Sequence, residues 1–269
     1  MITKKYYKLI RVSYADEGYF CLTNVGNSIG TVKIDKWFET PNSNTSPAVL
    51  EYSTDGVNWT TYTGGNGGDA VGISVDPNSN IYWRCKAGQT AFYKSRSQFI
   101  FDFDCVASGN LMSLFTDSNF ASYTGNWAAG NLFCNQTHLL RADFNFGVQT
   151  TVYCYDNISS YKRNDGIDSM FSGCTNLVSA PNLGNLINSS TTSDSQYQYY
   201  TGSMNNLFRN CSSLNTIYAP NMTYSSSFVN NWVDGVAASG NFFIDSSVAD
   251  SWTTYNISGI PTGWTKVTL

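Results

Sequence analysis

The sequence predicts a mainly β protein in two parts. Residues 1–107 are predicted to form an antiparallel β-sandwich, and residues 108–269 a short, irregular stack of repeats with a Trp-rich C-terminal cap. Three observations support this division. Apolar residues alternate with polar ones before residue 108, an interrupted apolar pattern recurs after it, and three tryptophans cluster near the C-terminus.

The first part has the period-two pattern of strands with one buried and one solvated face. The segment KLIRVSY alternates in this way, and so does FIFDFDCV, where Asp102 and Asp104 oppose the apolar face and indicate a solvated surface. Asp55-Gly56 lies between two aromatic-rich runs and predicts a hairpin. Seven or so short strands in about a hundred residues favour a β-sandwich, such as an Ig-like one. The segment YSTDGVNWTTY (52–62) also resembles hairpins of discoidin-type carbohydrate-binding sandwiches, and this resemblance implies a discoidin-like sandwich as the alternative. The apolar residues that alternate are Ile10, Val12, Tyr14, Phe99, Phe101, Phe103 and Cys105.

The second part contains the recurring segments MFSGCTNLVSAPNL (170–183) and LFRNCSSLNTIYAPNM (207–222), with a weaker copy that begins at residue 132. In each copy a Phe precedes a Leu by six residues, and the Phe positions are 38 and 37 residues apart. A repeat of this length indicates stacked units, none of which buries its apolar residues alone. The predicted repeat core consists of Phe133, Leu139, Met170, Phe171, Cys174, Leu177, Leu207, Phe208, Cys211 and Leu214.

These two segments resemble the BspA-type leucine-rich repeat of Bacteroides surface proteins and of the phages that infect those bacteria. The family pattern, with Met-Phe, a Cys three residues later, a Leu three after that and then a Pro, falls on Met170, Phe171, Cys174, Leu177 and Pro181. The C-terminal segment, with Trp232, Trp252 and Trp264, is similar to the closing segment of such proteins. The resemblance therefore implies a leucine-rich-repeat-like stack.

This chain departs from the family pattern in two respects. The copy at residue 132 lacks the Cys in register and the Pro, and the spacing of 37 to 38 residues exceeds that of the family's repeats. We therefore expect long inserts between the copies. The predicted stack is short and irregular, with the sandwich on one side and the Trp-rich cap on the other.

Composition and charge exclude several classes of function. Charged residues make up 13% of the 269 residues and the net charge is −4, without a Lys/Arg run, so nucleic acid is not an expected partner. No apolar run reaches the roughly 18 residues that a membrane span needs. His138 is the only histidine, which leaves no other imidazole for a nucleophile–base pair. We expect a protein that is not an enzyme and binds no cofactor or metal, with His138 packed or at an edge.

The seven cysteines are odd in number and contain no C-x-x-C pair, so neither a disulfide scaffold nor a zinc site is expected. We predict reduced and mostly buried thiols, of which Cys174 and Cys211 fill tight corners of the repeats.

Two polar, aromatic segments are the candidate contacts for a receptor or glycan. Flat aromatic rings beside amides and hydroxyls are typical of surfaces that bind carbohydrates or proteins. The alternative is that these rings pack against their own stack. The candidate residues are Tyr123 and Trp127 in the segment 122–131, and Gln196, Tyr197, Gln198, Tyr199 and Tyr200 in the segment 193–203.

Two functional classes compete. The first is a phage virion protein, such as a fibre, tail or capsid-decoration component, that binds other virion proteins and a host surface glycan or protein. The second is a bacterial surface adhesin or carbohydrate-binding protein, located at the cell surface. The N-terminal segment does not resemble a signal peptide, which favours a virion protein folded in the host cytoplasm. Symmetric homo-oligomers are common among fibres, and we expect one here.

Overall fold

The protein is mainly β, as predicted. The computed structural model describes residues 18–37, 50–62, 70–86, 96–115, 129–146, 150–151, 167–187, 204–226 and 229–269. Fourteen strands and three short 3-10 helices lie within these ranges. The strands are β1 (Phe20–Asn24), β2 (Gly30–Trp37), β3 (Leu50–Ser53), β4 (Thr60–Thr61), β5 (Ile73–Val75), β6 (Asn80–Cys85), β7 (Arg96–Phe101), β8 (Cys105–Ser108), β9 (Leu139–Ala142), β10 (Thr150–Thr151), β11 (Leu186–Ile187), β12 (Thr216–Tyr218), β13 (Asn241–Ile244) and β14 (Thr265–Thr268). The 3-10 helices span Leu111–Leu114, Leu183–Asn185 and Ala249–Ser251.

The N-terminal part consists of two sheets that pack face to face. One contains β4-β3-β6-β1-β8 in antiparallel order and continues to β9, and the other contains β5-β2-β7. Buried rings join the two faces. The Phe99 ring of β7 lies 5.2 Å from Trp83 of β6 and 5.6 Å from Phe20 of β1. The Tyr62 hydroxyl accepts the Ile34 N–H across the same interface at 2.9 Å.

The predicted hairpin forms between β3 and β4 around Asp55-Gly56. The loop is longer than two residues, and the Asp55 carboxylate holds its shape. That carboxylate accepts the backbone N–H groups of Val57 and Asn58 at 2.8 and 2.7 Å and the Ser53 hydroxyl at 2.8 Å. Gly56 adopts φ 75°, a left-handed conformation that glycine reaches without a steric penalty.

The sheet does not end where the sequence pattern changes. β8 pairs with β9 in parallel, and the bridges Arg141–Ser179 and Ser179–Thr216 extend the pairing toward β12, β13 and β14. Antiparallel pairing therefore gives way to parallel pairing close to residue 108. The boundary at residues 107 and 108 remains a prediction, because the two parts share this sheet and one continuous hydrophobic core.

The described residues of the second part form five stacked coils, each with one turn and one rung of the parallel sheet. We define them as coil 1 (129–146), coil 2 (167–187), coil 3 (204–226), coil 4 (229–251) and the terminal coil (252–269). Within the turns of coils 1 to 4, alternate N–H groups bond to the carbonyl three residues back, as Cys174 does to Phe171. The N–H groups between them donate to the next coil, as Phe133 does to Met170 and Phe171 does to Leu207, both within 3.0 Å.

This inter-coil hydrogen bonding shows which residues of successive coils are equivalent, and therefore how many residues separate them. Phe133, Phe171, Phe208 and Val233 donate to successive coils from equivalent positions, which are 38, 37 and 25 residues apart. Coil 4 thus has a shorter unit, and Val233 occupies the position of the recurring Phe. The longer units carry about a dozen additional residues, and these fall in 152–166 and 188–203, outside the described residues.

Left-handed backbone conformations recur at two positions in the turns of coils 1 to 4. The first position has φ between 52° and 61°, and the second, four residues later, has φ between 59° and 78°. Asn and Gly tolerate this region better than other residues. The requirement explains the Asn and Gly residues that interrupt the apolar pattern. The first position is Asn131, Ser169, Asn206 and Asn231, and the second is Asn135, Gly173, Asn210 and Gly235.

A column of aromatic rings runs through the core from the sandwich to the C-terminal cap. Successive rings from Phe99 through Phe133, Phe171 and Phe208 are stacked, with centroids 5.9, 5.7 and 5.5 Å apart. Trp232 continues the column at 6.0 Å from Phe208. All ten predicted repeat-core side chains are fully buried around this column.

The cysteine slot of the repeat is a hydrogen-bonding position. The Cys174 thiol donates to the Phe133 carbonyl at 3.0 Å, and the Cys211 thiol donates to the Phe171 carbonyl at 2.9 Å. Coil 1 has Gln136 at this position, and its side-chain Oε1 accepts the Phe101 N–H of β7 at 3.1 Å. The Phe99 N–H of β7 donates to the Leu132 carbonyl at 2.9 Å. β7 therefore docks onto coil 1 in the way that one coil docks onto the next.

The last described coil carries polar groups on the side where a following coil would pair. The Lys266 side chain lies in the row of Ile217 and Phe242, and its ammonium donates to the carbonyls of Ala249 and Trp252 at 3.1 and 3.2 Å. The Ser258 N–H, equivalent to the inter-coil donor Val233, bonds to the Asn256 side chain at 2.8 Å. An inward-pointing charge on an edge strand is a recognised protection against further strand pairing.

The predicted tryptophan cap is buried and hydrogen-bonded. Each indole N–H donates to a backbone carbonyl: Trp232 to Gly259, Trp252 to Met222 and Trp264 to Ala237, at 2.8, 2.6 and 2.7 Å.

Candidate binding surfaces

The candidate receptor contacts proposed from the sequence lie outside the described residues. They are Tyr123, Trp127, Gln196, Tyr197, Gln198, Tyr199 and Tyr200. Their role stays a prediction, but the structure fixes the points at which the second of these segments leaves and rejoins the stack.

The two inserts, 152–166 and 188–203, are attached to neighbouring points of the stack. Before them, β10 and β11 pair in parallel, with Thr151 opposite Ile187. After them, Ile167 and Met204 occupy equivalent positions of coils 2 and 3, where their carbonyls accept the N–H groups of Met170 and Leu207. Both inserts therefore leave from, and return to, one edge of the stack.

The outward face of the parallel strands carries a stacked aromatic pair that the sequence analysis did not single out. Tyr218 and Phe243 are opposite each other in β12 and β13, with ring centroids 4.4 Å apart and planes 8° from parallel. Each ring therefore covers a face of the other. This arrangement stabilises the pairing of the two strands and leaves less aromatic face for a ligand.

The outward face of the sandwich carries a second aromatic cluster, formed by Tyr19, Trp59, Arg84 and Glu51. The Arg84 Cζ lies 4.0 Å from the centroid of the Trp59 ring, and the Tyr19 ring makes a T-shaped contact with Trp59 at 4.6 Å. Glu51 and Arg84 are cross-strand neighbours in β3 and β6, and the Glu51 Oε2 accepts Nε of Arg84 at 2.9 Å. The ion pair is largely buried, with the two side chains 12% and 25% exposed.

Comparison of the chain with protein-family models, with curated proteins and with solved structures finds no match.

The titratable side chains His138 and Asp102 make local contacts. His138 is about half exposed and its Nδ1 lies 3.2 Å from Asp104 Oδ1. Asp102 is exposed and accepts the Thr31 N–H and hydroxyl, and the first of these bonds is the main cause of the lowered pKa of Asp102. In the part of the chain that the structure describes, no group of three His, Cys, Asp or Glu side chains is arranged to hold a metal ion.

The described cysteines are free thiols: Cys21, Cys85, Cys105, Cys134, Cys174 and Cys211. Burial raises the pKa of Cys211 to about 12 and that of Cys21 to about 11. Cys154 lies outside the described residues. Thiols with such high pKa values are poor nucleophiles at neutral pH.

None of the described helices is long and apolar enough to cross a membrane.

Proposed function

We propose that this chain is a non-enzymatic structural protein of a phage virion, a fibre, tail or capsid-decoration component that also binds the host surface. Its partners are other virion proteins and a glycan or protein of the host cell. The proposal rests on the resemblance of the repeats to BspA-type proteins and on one structural observation. The two long inserts are anchored on a single edge of a continuous, hydrogen-bonded stack.

That common edge gives a physical reason for a binding role. Loops that are attached next to each other on a packed scaffold form a composite surface, and binding residues are often found on such loops. The second insert is rich in tyrosine and glutamine. Tyrosine offers a large contact area with little side-chain entropy to lose, and glutamine supplies both donors and acceptors.

The proposal is tested by replacing Tyr197, Tyr199 and Tyr200 with alanine in the phage. Folding and virion incorporation should be unchanged if these tyrosines are exposed, since exposed substitutions usually change stability by about 0.5 kcal/mol or less. Host adsorption should fall at least tenfold if one tyrosine contributes about 2 kcal/mol. The matched control is Tyr255→Ala, which removes a tyrosine that is 47% exposed on the terminal coil.

Three other results would change the proposal. Wild-type adsorption by the triple variant would refute the receptor role of the insert. Loss of incorporation would instead place the insert-bearing edge against the virion. Absence of the protein from purified virions, together with its presence on a bacterial surface, would favour the alternative of a surface adhesin or carbohydrate-binding protein.

A further inference from the structure

The loop between β3 and β4 folds back across the outward face of the larger sheet. Trp59 follows this loop, yet its ring contacts Tyr19, which directly precedes β1. The strand order is β4-β3-β6-β1, so the indole reaches over β3 and β6. On its way it covers the guanidinium of Arg84, a residue of β6.

One face of the indole remains uncovered by these partners. The separations are 4.0 Å from the indole to Arg84 Cζ, 4.6 Å from the indole to the Tyr19 ring and 5.8 Å from Cζ to the Tyr19 ring. Seen from the indole, Arg84 and Tyr19 thus lie nearly at a right angle. Arg84 therefore covers one face of the indole and Tyr19 contacts its edge, while Trp59 as a whole is partly buried.

A hydrogen-bond donor and an acceptor lie beside this ring. Nε and Nη2 of Arg84 both approach the same carboxylate oxygen, Oε2 of Glu51, at 2.9 and 2.8 Å. Among the described residues, neither Oε1 of Glu51 nor Nη1 of Arg84 has a hydrogen-bond partner. The cross-strand register and the contact with the indole hold both groups in place.

The loop itself is organised before any ligand arrives. Asp55 accepts N–H groups from Asn58 and Val57, and the Asn58 side chain donates to the other Asp55 oxygen at 2.7 Å. These hydrogen bonds, those from Asn58 foremost, hold the pKa of Asp55 well below its usual range. The residue that follows is Trp59, so the carboxylate fixes the approach of the indole to the sheet. Preorganisation of this kind lowers the entropy cost of binding.

We propose that Trp59, Arg84 and Glu51 form a binding site for a neutral sugar ring. The apolar C–H face of the ring packs on the face of Trp59 opposite Arg84, and two adjacent hydroxyls bond to Oε1 of Glu51 and Nη1 of Arg84. An aromatic surface with a few fixed polar groups is the usual composition of a small-ligand site. The paired charges cancel, which favours a neutral sugar over an acidic or basic one. This site lies on the sandwich and depends neither on the inserts nor on a place in a virion.

Affinity electrophoresis of the full chain tests the site. The purified protein is run in native gels that contain a neutral glucan, mannan or galactan, with polygalacturonate as the anionic comparison. Wild type should be retarded by at least one neutral polymer. Trp59→Ala should weaken the apparent affinity at least tenfold, and Trp59→Phe, which keeps a ring over Arg84, should weaken it less. Glu51→Gln keeps the side-chain volume and should also weaken binding.

The controls separate loss of the site from loss of the fold. Thr60→Ala removes an exposed neighbouring side chain and should bind like wild type. The variant with Tyr197, Tyr199 and Tyr200 replaced by alanine should also bind these polymers, so this test is independent of the insert. Unchanged binding by both Trp59→Ala and Glu51→Gln would overturn the proposal. So would retardation of wild type by no neutral polymer, or by polygalacturonate alone.

Discussion

Phe171 lies at the centre of the aromatic column, and its truncation should destabilise the whole described fold. Its ring is fully buried and is stacked between Phe133 and Phe208 at 5.7 and 5.5 Å, with Phe144 at 6.1 Å. Phe→Ala in a core costs about 3–5 kcal/mol through lost burial and the cavity that remains. Two stacked contacts favour the upper half of that range, since each contributes about 0.5–1.5 kcal/mol. We expect a loss of about 4 kcal/mol in the free energy of unfolding.

Urea unfolding of the full chain measures this loss. Far-UV circular dichroism reports on the sheets, and tryptophan fluorescence reports both on Trp83 in the sandwich and on Trp232 and Trp252 in the cap. Because one core joins the two parts, Phe171→Ala should lower the midpoint of both signals together. Val178→Ala is the control, since Val178 is 40% exposed and should change stability by about 0.5 kcal/mol or less.

A double-mutant cycle tests the column as a chain of neighbouring contacts. Phe133→Leu and Phe171→Leu affect rings in direct contact and should be non-additive, whereas Phe133→Leu and Phe208→Leu are separated by Phe171 and should be nearly additive. A loss of less than about 1.5 kcal/mol for Phe171→Ala would refute the assignment of Phe171 to a well-packed core. A fluorescence transition that stays at the wild-type midpoint while the circular dichroism transition shifts would refute the shared core.

Three further predictions concern the turns, the thiols and the last coil. Gly173→Ala should lower the free energy of unfolding by more than about 1–2 kcal/mol, because Gly173 has φ 78° and the new Cβ would lie 2.2 Å from Oδ1 of Asn135. Asn210→Gly, at the equivalent position of coil 3, should lower it much less, and chemical denaturation measures both changes. The free energy of unfolding should fall as the pH rises from about 9 toward 12, because the unfolded chain ionises its thiols while burial keeps Cys21 and Cys211 protonated in the folded chain. Unfolding measured over this pH series should show a shallower fall for Cys211→Ala than for wild type, and an equal fall would contradict this cause. Lys266→Val removes the inward charge from the edge strand β14 and should increase self-association in sedimentation velocity, whereas Lys266→Arg should not.

The sequence predicted the parts of the fold that depend on local pattern. Asp55-Gly56 identified a hairpin because that signal lies within a few residues. The single strand predicted from the alternation in FIFDFDCV was wrong, since β7 ends at Phe101 and β8 begins at Cys105 in the other sheet, with Asp102 and Asp104 in the connection between them. The recurring Phe identified equivalent positions in coils 1, 2 and 3, because each of these coils has a Phe at the inter-coil donor position. Val233 escaped notice because coil 4 has neither the Phe nor the Cys, and only the backbone pairing shows that it is equivalent to Phe208.

Contacts between distant segments could not be predicted in this way. β7 was expected to belong to the sandwich alone, yet its Phe99 and Phe101 N–H groups bond to Leu132 and Gln136 of coil 1. Trp59 and Tyr19 are 40 residues apart, and only the strand order brings them together. The sequence showed only that Gln136 stands where the other two copies have a Cys. Its longer side chain accepts the Phe101 N–H of β7, a contact that the sequence does not reveal.

The two ends of the stack determine where partners have access. At one end β7 occupies the place of a preceding coil. At the other, Asn256 accepts the Ser258 N–H that would donate to a following coil, and Lys266 places a charge in the inward row of the parallel strands. Within the described residues, the stack is therefore closed to extension along its axis. We therefore expect partners to bind laterally, at the insert-bearing edge or the outward face of the sandwich. If the chain forms the expected homo-oligomer, its copies should associate side by side. A cross-link between the terminal coil of one copy and the terminal coil of another, in the wild-type protein, would contradict this argument.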